Sequence, residues 1–230
     1  MTVEPPPVIE LRGLTRRFGE RTALGEVSAR LGVGETLAVL GHNGAGKTTL
    51  LRILATLLRP HGGEVALFGQ PLPARAFAVR GRLGLVAHQP LLYHDLSGRE
   101  NLRYHARLHG APAARIEELL DAVGMERRGD EPVRLLSRGL VQRLAICRAV
   151  LHAPALLLLD EPRANLDPAV EELIEPLIGR ASGCTRVLTS HEPRAALAEA
   201  DLVLGLRDGR TAFLDPPAGL SDAQLRELYA

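Results

Sequence analysis

Glycine, lysine and threonine stand together after an apolar run, at a spacing suited to binding phosphate. Residues 36–40 are followed by Gly41, Gly46, Lys47 and Thr48, which fit the pattern G-x-x-x-x-G-K-[ST]. Glycine lets the backbone curl so that successive N–H groups point at phosphate oxygens, and the dipole of the following helix adds to the attraction. Lys47 is the one lysine among 28 lysine and arginine residues. Because a compact ammonium fits inside such a ring and a planar guanidinium does not, the segment predicts a phosphate-binding loop.

The predicted phosphate site extends along the whole loop. Its members are consecutive in the chain: Gly41, His42, Asn43, Gly44, Ala45, Gly46, Lys47, Thr48 and Thr49. We expect Lys47 to reach the β and γ phosphates of a nucleotide and Thr48 to place its hydroxyl on Mg²⁺. A guanine-reading Asn-Lys-x-Asp motif would need a second lysine, so the sequence favours ATP over GTP.

Two adjacent acids follow another apolar run. Four leucines, residues 156–159, end at Asp160 and Glu161. Carboxylates at the carboxyl end of a buried parallel strand lie where ligands bind in open α/β sheets. We assign Asp160 to Mg²⁺, directly or through water, and Glu161 to polarising the attacking water. Because helix N-caps carry similar acid pairs, this assignment depends on the phosphate loop earlier in the chain.

The elements that must position these residues alternate between strand and helix patterns. Strand-like runs are found at TLAVL, LGLVAH, ALLLLD, RVLTS and DLVLGL, and shorter β-rich runs at residues 8–34 and 63–69 predict an antiparallel subdomain. The stretch from Pro90 to Pro154 has helical periodicity, with a capping box at Ser97 and Glu100. A hairpin turn is expected at 208–209. Leu140, Leu144, Cys147 and Leu151 recur at helical spacing and predict a buried stripe.

These patterns predict an α/β fold: a P-loop NTPase (RecA-like) core sheet with an antiparallel β subdomain and an inserted α-helical lobe. We expect one domain in three parts. The α/β core occupies about 1–89 and 153–214, the helical lobe about 90–152, and a C-terminal tail 215–230.

Composition limits the kinds of partner. The 230 residues carry 28 basic and 27 acidic side chains, so the net charge of +1 provides no general attraction to nucleic acid or anionic membranes. The longest apolar runs are far below membrane-spanning length, and Cys147 and Cys184 lack metal-ligand spacing. We therefore expect a cytosolic chain that meets any membrane partner through a local surface.

Five segments occur in an order that resembles the nucleotide-binding subunits of ABC transporters. They are the phosphate loop, LSRGL, LLLLDEP, ANLDP and LTSHEP, and the resemblance covers the chain from about Ile9 to Arg210. It implies that Gln89 contacts Mg²⁺ or the lytic water and that His191 touches the γ-phosphate. It also implies that Phe18 stacks on adenine and that Asp167 lies at a dimer interface.

The LSRGL segment has a role in this family that one chain cannot complete. The resemblance implies that Ser137 and Gly139, at the start of a helix, act on the γ-phosphate held by a second copy in an ATP-dependent head-to-tail dimer. Arg138 and Leu140 replace a glycine and the glutamine of the family motif, and Asn165 replaces a smaller residue near the interface loop. We expect Ser137 and Gly139 to keep the phosphate role and Arg138 to point aside or add positive charge.

The resemblance also implies transmembrane permease subunits as partners, a peripheral position on the cytoplasmic face of the inner membrane, and no nucleic acid. We propose Leu91, Leu92 and Tyr93 as an apolar groove for a partner helix, with core packing as the equal alternative. Residues 86–110 and 136–154 look like the ATP-binding subunit of the haem exporter of cytochrome c maturation. The alternatives are an exporter of drugs, lipids or polysaccharides, a soluble non-transport ABC ATPase, and a P-loop small-molecule kinase.

Overall fold

The computed structural model describes residues 6–163 and 166–229. The elements follow in the order β1 (Ile9–Phe18), β2 (Arg21–Leu31), β3 (Thr36–Leu40), α1 (Lys47–Leu54), β4 (Gly62–Leu67), β5 (Gln70–Leu72), α2 (Ala76–Arg80), β6 (Leu83–Val86), α3 (Gly98–His109), α4 (Ala114–Ala122), α5 (Arg138–Val150), β7 (Leu156–Asp160), α6 (Pro168–Ile178), β8 (Thr185–Thr189), α7 (Pro193–Glu199), β9 (Leu202–Arg207), β10 (Arg210–Asp215) and α8 (Asp222–Tyr229).

Internal contacts divide the chain into two compact units. The first contains the chain up to Arg80, the three residues Leu158–Asp160, and the segment from Thr185 onward. The second contains Gly81–Leu157 and Glu161–Cys184. The boundary therefore falls between the two predicted acids at the end of β7. The domain limits expected from the sequence stay a prediction.

The first unit holds the predicted antiparallel sheet, with strand order β2-β1-β4-β5. Strand β1 alternates buried and more exposed residues, as a sheet with one covered face requires. The turn between β1 and β2 uses Gly19 with φ 56°, a left-handed conformation that glycine adopts without strain. The β subdomain predicted from the short runs is confirmed.

The first unit also holds the core sheet in the order β10-β9-β3-β8-β7. Strands β9, β3 and β8 are parallel, and β10 returns antiparallel to β9. All five residues of β3 and of β8 are buried. Burial on both faces explains the apolar sequence of β3, whereas β8 buries Thr185, Arg186 and Thr189 beside its two apolar residues. Asp208 and Gly209 both have positive φ in the two-residue turn before β10, as the predicted hairpin requires.

The second unit is mainly helical. The capping box of Ser97 and Glu100 at the start of α3 is confirmed: the Ser97 side chain accepts from the Glu100 N–H, and the Glu100 carboxylate accepts from the Ser97 N–H at 2.8 Å. Strand β6 lies beside the start of β7, because the carbonyl of Arg82 accepts from the N–H groups of Ala155 and Leu156. No helix among residues 6–163 and 166–229 meets the length and apolarity needed to cross a membrane.

One member of the predicted stripe on α5 is not in the core. Leu144, Cys147 and Leu151 are buried, but Leu140 is only partly covered. Leu140 lies in the first turn of α5, where Arg138 is exposed, so the packed part of the helix begins about one turn later. The prediction that Leu140 belongs to the buried stripe is therefore wrong.

Candidate nucleotide site

The glycine-rich loop lies between the end of β3 and the start of α1. Gly41 has φ 148° and Gly46 has φ 110°. A Cβ atom on Gly41 would lie 2.2 Å from the carbonyl oxygen of Leu206, and one on Gly46 would lie 2.4 Å from that of Ala23. Both positions combine a backbone conformation that residues with a side chain rarely adopt with a lack of room for a Cβ atom, so the loop conformation requires glycine there.

Lys47 is the first residue of α1, and its ammonium lies inside the curl of the loop. The side chain is nearly buried, at 7% exposure. Its Nζ donates to the carbonyl oxygens of Gly41 at 2.6 Å and His42 at 3.1 Å. These backbone dipoles hold a positive charge at the point where the loop turns into a helix N-terminus, an arrangement that attracts anions.

Neighbouring segments fix the outside of the loop. Arg21 donates from Nη2 to the carbonyl oxygen of Gly44 at 3.2 Å, and the N–H of Gly209 donates to that of Ala45 at 3.1 Å. Sequence reasoning missed both supports, although the arginine and glycine stand in turns that the sequence does indicate. The loop is therefore held by the β1–β2 hairpin and by the turn between β9 and β10.

Asp160 ends β7 as a buried carboxylate with two hydroxyl donors. Thr48 donates from Oγ1 to Oδ2 at 3.1 Å, and Thr189 donates to Oδ1 at 2.8 Å. Sequence reasoning missed Thr189, which is the last residue of the neighbouring buried strand β8. The cluster consists of oxygen atoms only, the donor type that Mg²⁺ prefers, so the residues fit this ion.

Phe18 and His191 also belong to the first unit. Phe18 is 47% exposed, lies opposite Arg21 across the β1–β2 ladder, and has the Arg16 guanidinium 4.7 Å from its ring centroid. Its ring therefore stands on the hairpin whose arginine contacts the phosphate loop. His191 is exposed two residues after β8 and lines a cavity of about 800 Å³ together with α8 residues such as Tyr229.

The remaining predicted site residues lie in the second unit. Gln89 is exposed three residues after β6. Ser137 is the N-cap of α5, with its Oγ accepting from the N–H of Leu140 at 3.5 Å, and Gly139 lies in the first turn. Glu161 is the first residue of the Glu161–Cys184 segment of the second unit, and its φ is 53°. Asn165, one of the predicted departures from the family pattern, lies outside the described residues.

The proposed apolar groove is only partly present. Leu91 and Tyr93 are 44% and 52% exposed, but Leu92 is buried. The prediction that Leu92 lines the groove is wrong, because its side chain belongs to the core of the second unit. Tyr104 and Leu108 on α3 are also exposed, and the rings of Tyr93 and Tyr104 meet edge to face at 5.2 Å between centroids. These residues form an exposed apolar surface: Leu91, Tyr93, Tyr104 and Leu108.

The strand, glycine loop, helix and facing carboxylate define the P-loop class of nucleotide-binding domains. Sequence comparison narrows this class, because the family profile described as ABC transporter matches residues 24–164. The chain belongs to the ABC transporter family, in which it corresponds to the ATP-binding domain.

Curated relatives differ in what they are named for. The chain is 38% identical to a phosphonates import ATP-binding protein of Anaeromyxobacter dehalogenans, over 98% of this chain and 49% of that protein. It is 36% identical to the Nod factor export ATP-binding protein I of Ralstonia nicotianae, over 89% of this chain and 65% of that protein. It is also 37% identical to a daunorubicin resistance ATP-binding protein of Streptomyces coeruleorubidus, over 88% of this chain and 66% of that protein. The chain thus spans between half and two thirds of these relatives.

Solved structures support the same fold. An ATP-binding subunit of an ABC transporter matches with a TM-score of 0.84 and 28% identity, covering 96% of this chain and 99% of that one. A dimeric ATP-binding cassette in a post-hydrolysis state, bound to ADP and Pi, matches with a TM-score of 0.83 and 27% identity, covering 92% and 100%. The predicted α/β fold is therefore confirmed.

Proposed function

We propose that this chain hydrolyses ATP to power transport through membrane-embedded partner subunits. The observation that carries the proposal is the cluster of Lys47, Thr48, Asp160 and Thr189 at the phosphate loop. The Lys47 ammonium and the loop N–H groups bind the β and γ phosphates, and Phe18 stacks on the adenine ring. The wide exposure of Phe18 supports this last role, because a stacking platform must be open to its ligand.

Mg²⁺ fits the oxygen donors of this cluster. Thr48 and Asp160 would hold it, with Gln89 as the third predicted ligand, and the ion would neutralise charge on the phosphates. Thr189 orients the Asp160 carboxylate through its 2.8 Å hydrogen bond. Glu161 polarises the attacking water, and His191 contacts the γ-phosphate.

The site is completed by a second copy of the chain. Ser137 and Gly139 stand at the exposed N-terminus of α5, which presents N–H groups and a positive helix end to a phosphate. In a head-to-tail dimer this terminus acts on the nucleotide held by the other copy. The dimeric state of a similar solved structure supports the arrangement.

The membrane partners dock on the exposed apolar surface of Leu91, Tyr93, Tyr104 and Leu108. Aromatic and aliphatic side chains of this kind accept the apolar face of a partner helix. The chain then lies peripherally on the cytoplasmic face of the inner membrane. Nucleic acid is not a partner, since the nearly balanced charge supplies no general attraction to phosphate backbones.

We propose haem as the cargo, in export or release for cytochrome c biogenesis, because residues 86–110 and 136–154 resemble the haem exporter subunit. A second candidate is an exporter of another cargo. The relatives named for Nod factor export and daunorubicin resistance favour this second candidate. Purification with native membrane partners, followed by ATPase assays with haem and with lipid or drug cargo, separates the two. Stimulation by haem alone supports the first, and stimulation only by another cargo refutes it.

The hydrolysis step is tested by Glu161→Gln. Removing the carboxylate charge should lower turnover about 100-fold or more, while ATP binding remains and an ATP-bound dimer accumulates. Turnover is measured by phosphate release, binding by calorimetry and the dimer by light scattering. Turnover at the wild-type rate would remove Glu161 from the mechanism.

A further inference from the structure

Glu161 has a backbone conformation that its sequence opposes. Its φ of 53° lies in the left-handed region, which costs a residue with a side chain about 1 to 2 kcal/mol. Pro162 follows, and a proline favours extended conformations in the residue before it. Such a conformation persists only where the surroundings hold it in place. Contacts on the C-terminal side of Glu161 are therefore candidates for holding its carboxylate in position.

One such contact comes from α5. The side-chain amide of Gln142 donates from Nε2 to the carbonyl oxygen of Pro162 at 3.0 Å, and Pro162 itself is buried. This carbonyl belongs to the residue directly after Glu161. The bond to this carbonyl oxygen restrains the peptide plane that follows Pro162. The φ of Pro162 is already fixed by its ring. The backbone on this side of Glu161 is thus held by one side chain of α5.

A second contact lies one residue further along. Arg163 donates from Nη2 to the Glu175 carboxylate of α6 at 2.6 Å. Two successive residues after Glu161 are therefore held by different helices of the second unit. Of these two side-chain bonds, the one from Gln142 acts on the backbone and the one from Arg163 does not, so Gln142 has the more direct effect on the direction of the Glu161 side chain.

We propose that Gln142 is a positioning residue for Glu161, which rests on the role of Glu161 in the proposed function. Gln142 lies five residues after Ser137 on the same helix, a rise of about 7.5 Å. Helix α5 thus presents Ser137 to the nucleotide of a second copy and holds the water-polarising segment of its own chain. A displacement of α5, caused by the nucleotide that Ser137 contacts in the second copy, therefore moves the Glu161 carboxylate. This carboxylate acts on the nucleotide that its own chain binds.

Gln142→Met tests the hydrogen bond, because methionine has a similar length and shape but no donor. The kcat for ATP should fall about tenfold, the range expected when a catalytic group is misplaced by a fraction of an ångström. The affinity for ATP and the thermal unfolding midpoint should stay near the wild-type values. Gln142→Lys restores a donor of similar reach and should recover most of the turnover.

Arg143→Ala is the matched control. Arg143 neighbours Gln142 and also donates to a backbone carbonyl, that of Val123, at 3.1 Å, but at the end of α4. We expect Arg143→Ala to lower the unfolding midpoint with little change in kcat. Equal losses of kcat in Gln142→Met and Arg143→Ala would mean that both bonds act only through the stability of α5, which overturns the proposal.

The double variant separates this proposal from the proposed function. In a Glu161→Gln background, Gln142→Met should cause no further loss of residual hydrolysis, because the group that it positions is already gone. A further tenfold loss would show that Gln142 acts on something else. If Glu161→Gln keeps full turnover, the proposed function fails. If Glu161→Gln is inactive and Gln142→Met is fully active, only the positioning role fails.

Discussion

Lowering the pH should destabilise the second unit through a cluster of basic side chains between α3 and α5. The rings of His109 and His152 are stacked at 4.0 Å between centroids. His152 contacts the carbonyl oxygen of Leu83 in β6 at 3.0 Å. Burial, together with the positive charge of Arg148, lowers the pKa of His105 to about 4. Burial also lowers the pKa of His109 and of His152. These histidines are therefore neutral in the folded protein at pH 7.

The expected magnitude follows from the pKa of His105. In the unfolded chain its pKa has the ordinary value of 6.5, so between pH 6.5 and about 4 the unfolded state binds more protons. Stability is therefore fully present above pH 6.5 and is lost as the pH falls toward about 4. A shift of this size corresponds to about 3 kcal/mol for a fully buried group, and the partial exposure of His105 reduces it to about 1 to 2 kcal/mol.

Urea unfolding followed by far-ultraviolet circular dichroism measures this loss. Wild-type protein and His105→Asn should be compared at pH 7.5 and at pH values between 6.5 and 5, with His94→Asn as control because the His94 side chain is exposed. The unfolding free energy should depend less steeply on pH in His105→Asn than in the other two proteins. The same pH dependence in all three would refute the assignment to His105.

Two further predictions concern the nucleotide site. Thr189→Val removes a 2.8 Å hydrogen bond to the buried Asp160 carboxylate, worth about 1.5 kcal/mol. It should raise the Mg²⁺ concentration for half-maximal hydrolysis about tenfold in a Mg²⁺ titration, and an unchanged midpoint would argue against an orienting role. Arg138→Gly should leave turnover unchanged, because it restores the glycine of the family motif and leaves Ser137 and Gly139 in place, whereas Ser137→Arg should abolish turnover by blocking the end of α5. Loss of turnover in Arg138→Gly would instead make Arg138 catalytic.

Features with a local cause could be predicted from the sequence. The spacing of Gly41 and Gly46 predicts the loop because each position needs a positive φ and has no room for a Cβ atom. The capping box of Ser97 and the turn at Gly209 depend on residues within a few positions of one another. In each case the residues that form the feature are close together in the sequence, so the feature can be predicted without knowing the order of strands in the sheet.

Contacts between distant parts of the chain could not be predicted in the same way. Thr189 meets Asp160 only because β8 lies next to β7 in the sheet, and an apolar run does not reveal its neighbour. Gln142 stands on a helix among arginines and apolar residues, and nothing in its sequence neighbourhood indicates a bond to Pro162. The error at Leu140 has a related cause. Periodicity predicts which face of a segment is apolar, but tertiary packing decides how far along the segment that face is covered.

The geometry of Lys47 explains why this position carries lysine in a chain whose other basic residues are arginine. Its Nζ lies 2.6 Å from the carbonyl oxygen of Gly41 and 3.1 Å from that of His42, inside a curl of backbone. An ammonium directs three N–H donors from one atom, so it can bind both carbonyls from inside the narrow loop. The five donors of a guanidinium spread across a plane, and this plane would have to open a loop so tight that a Cβ atom on Gly41 or Gly46 would collide with the backbone of Leu206 or Ala23. Surface ion pairs set no such limit, because arginine serves there at least as well as lysine.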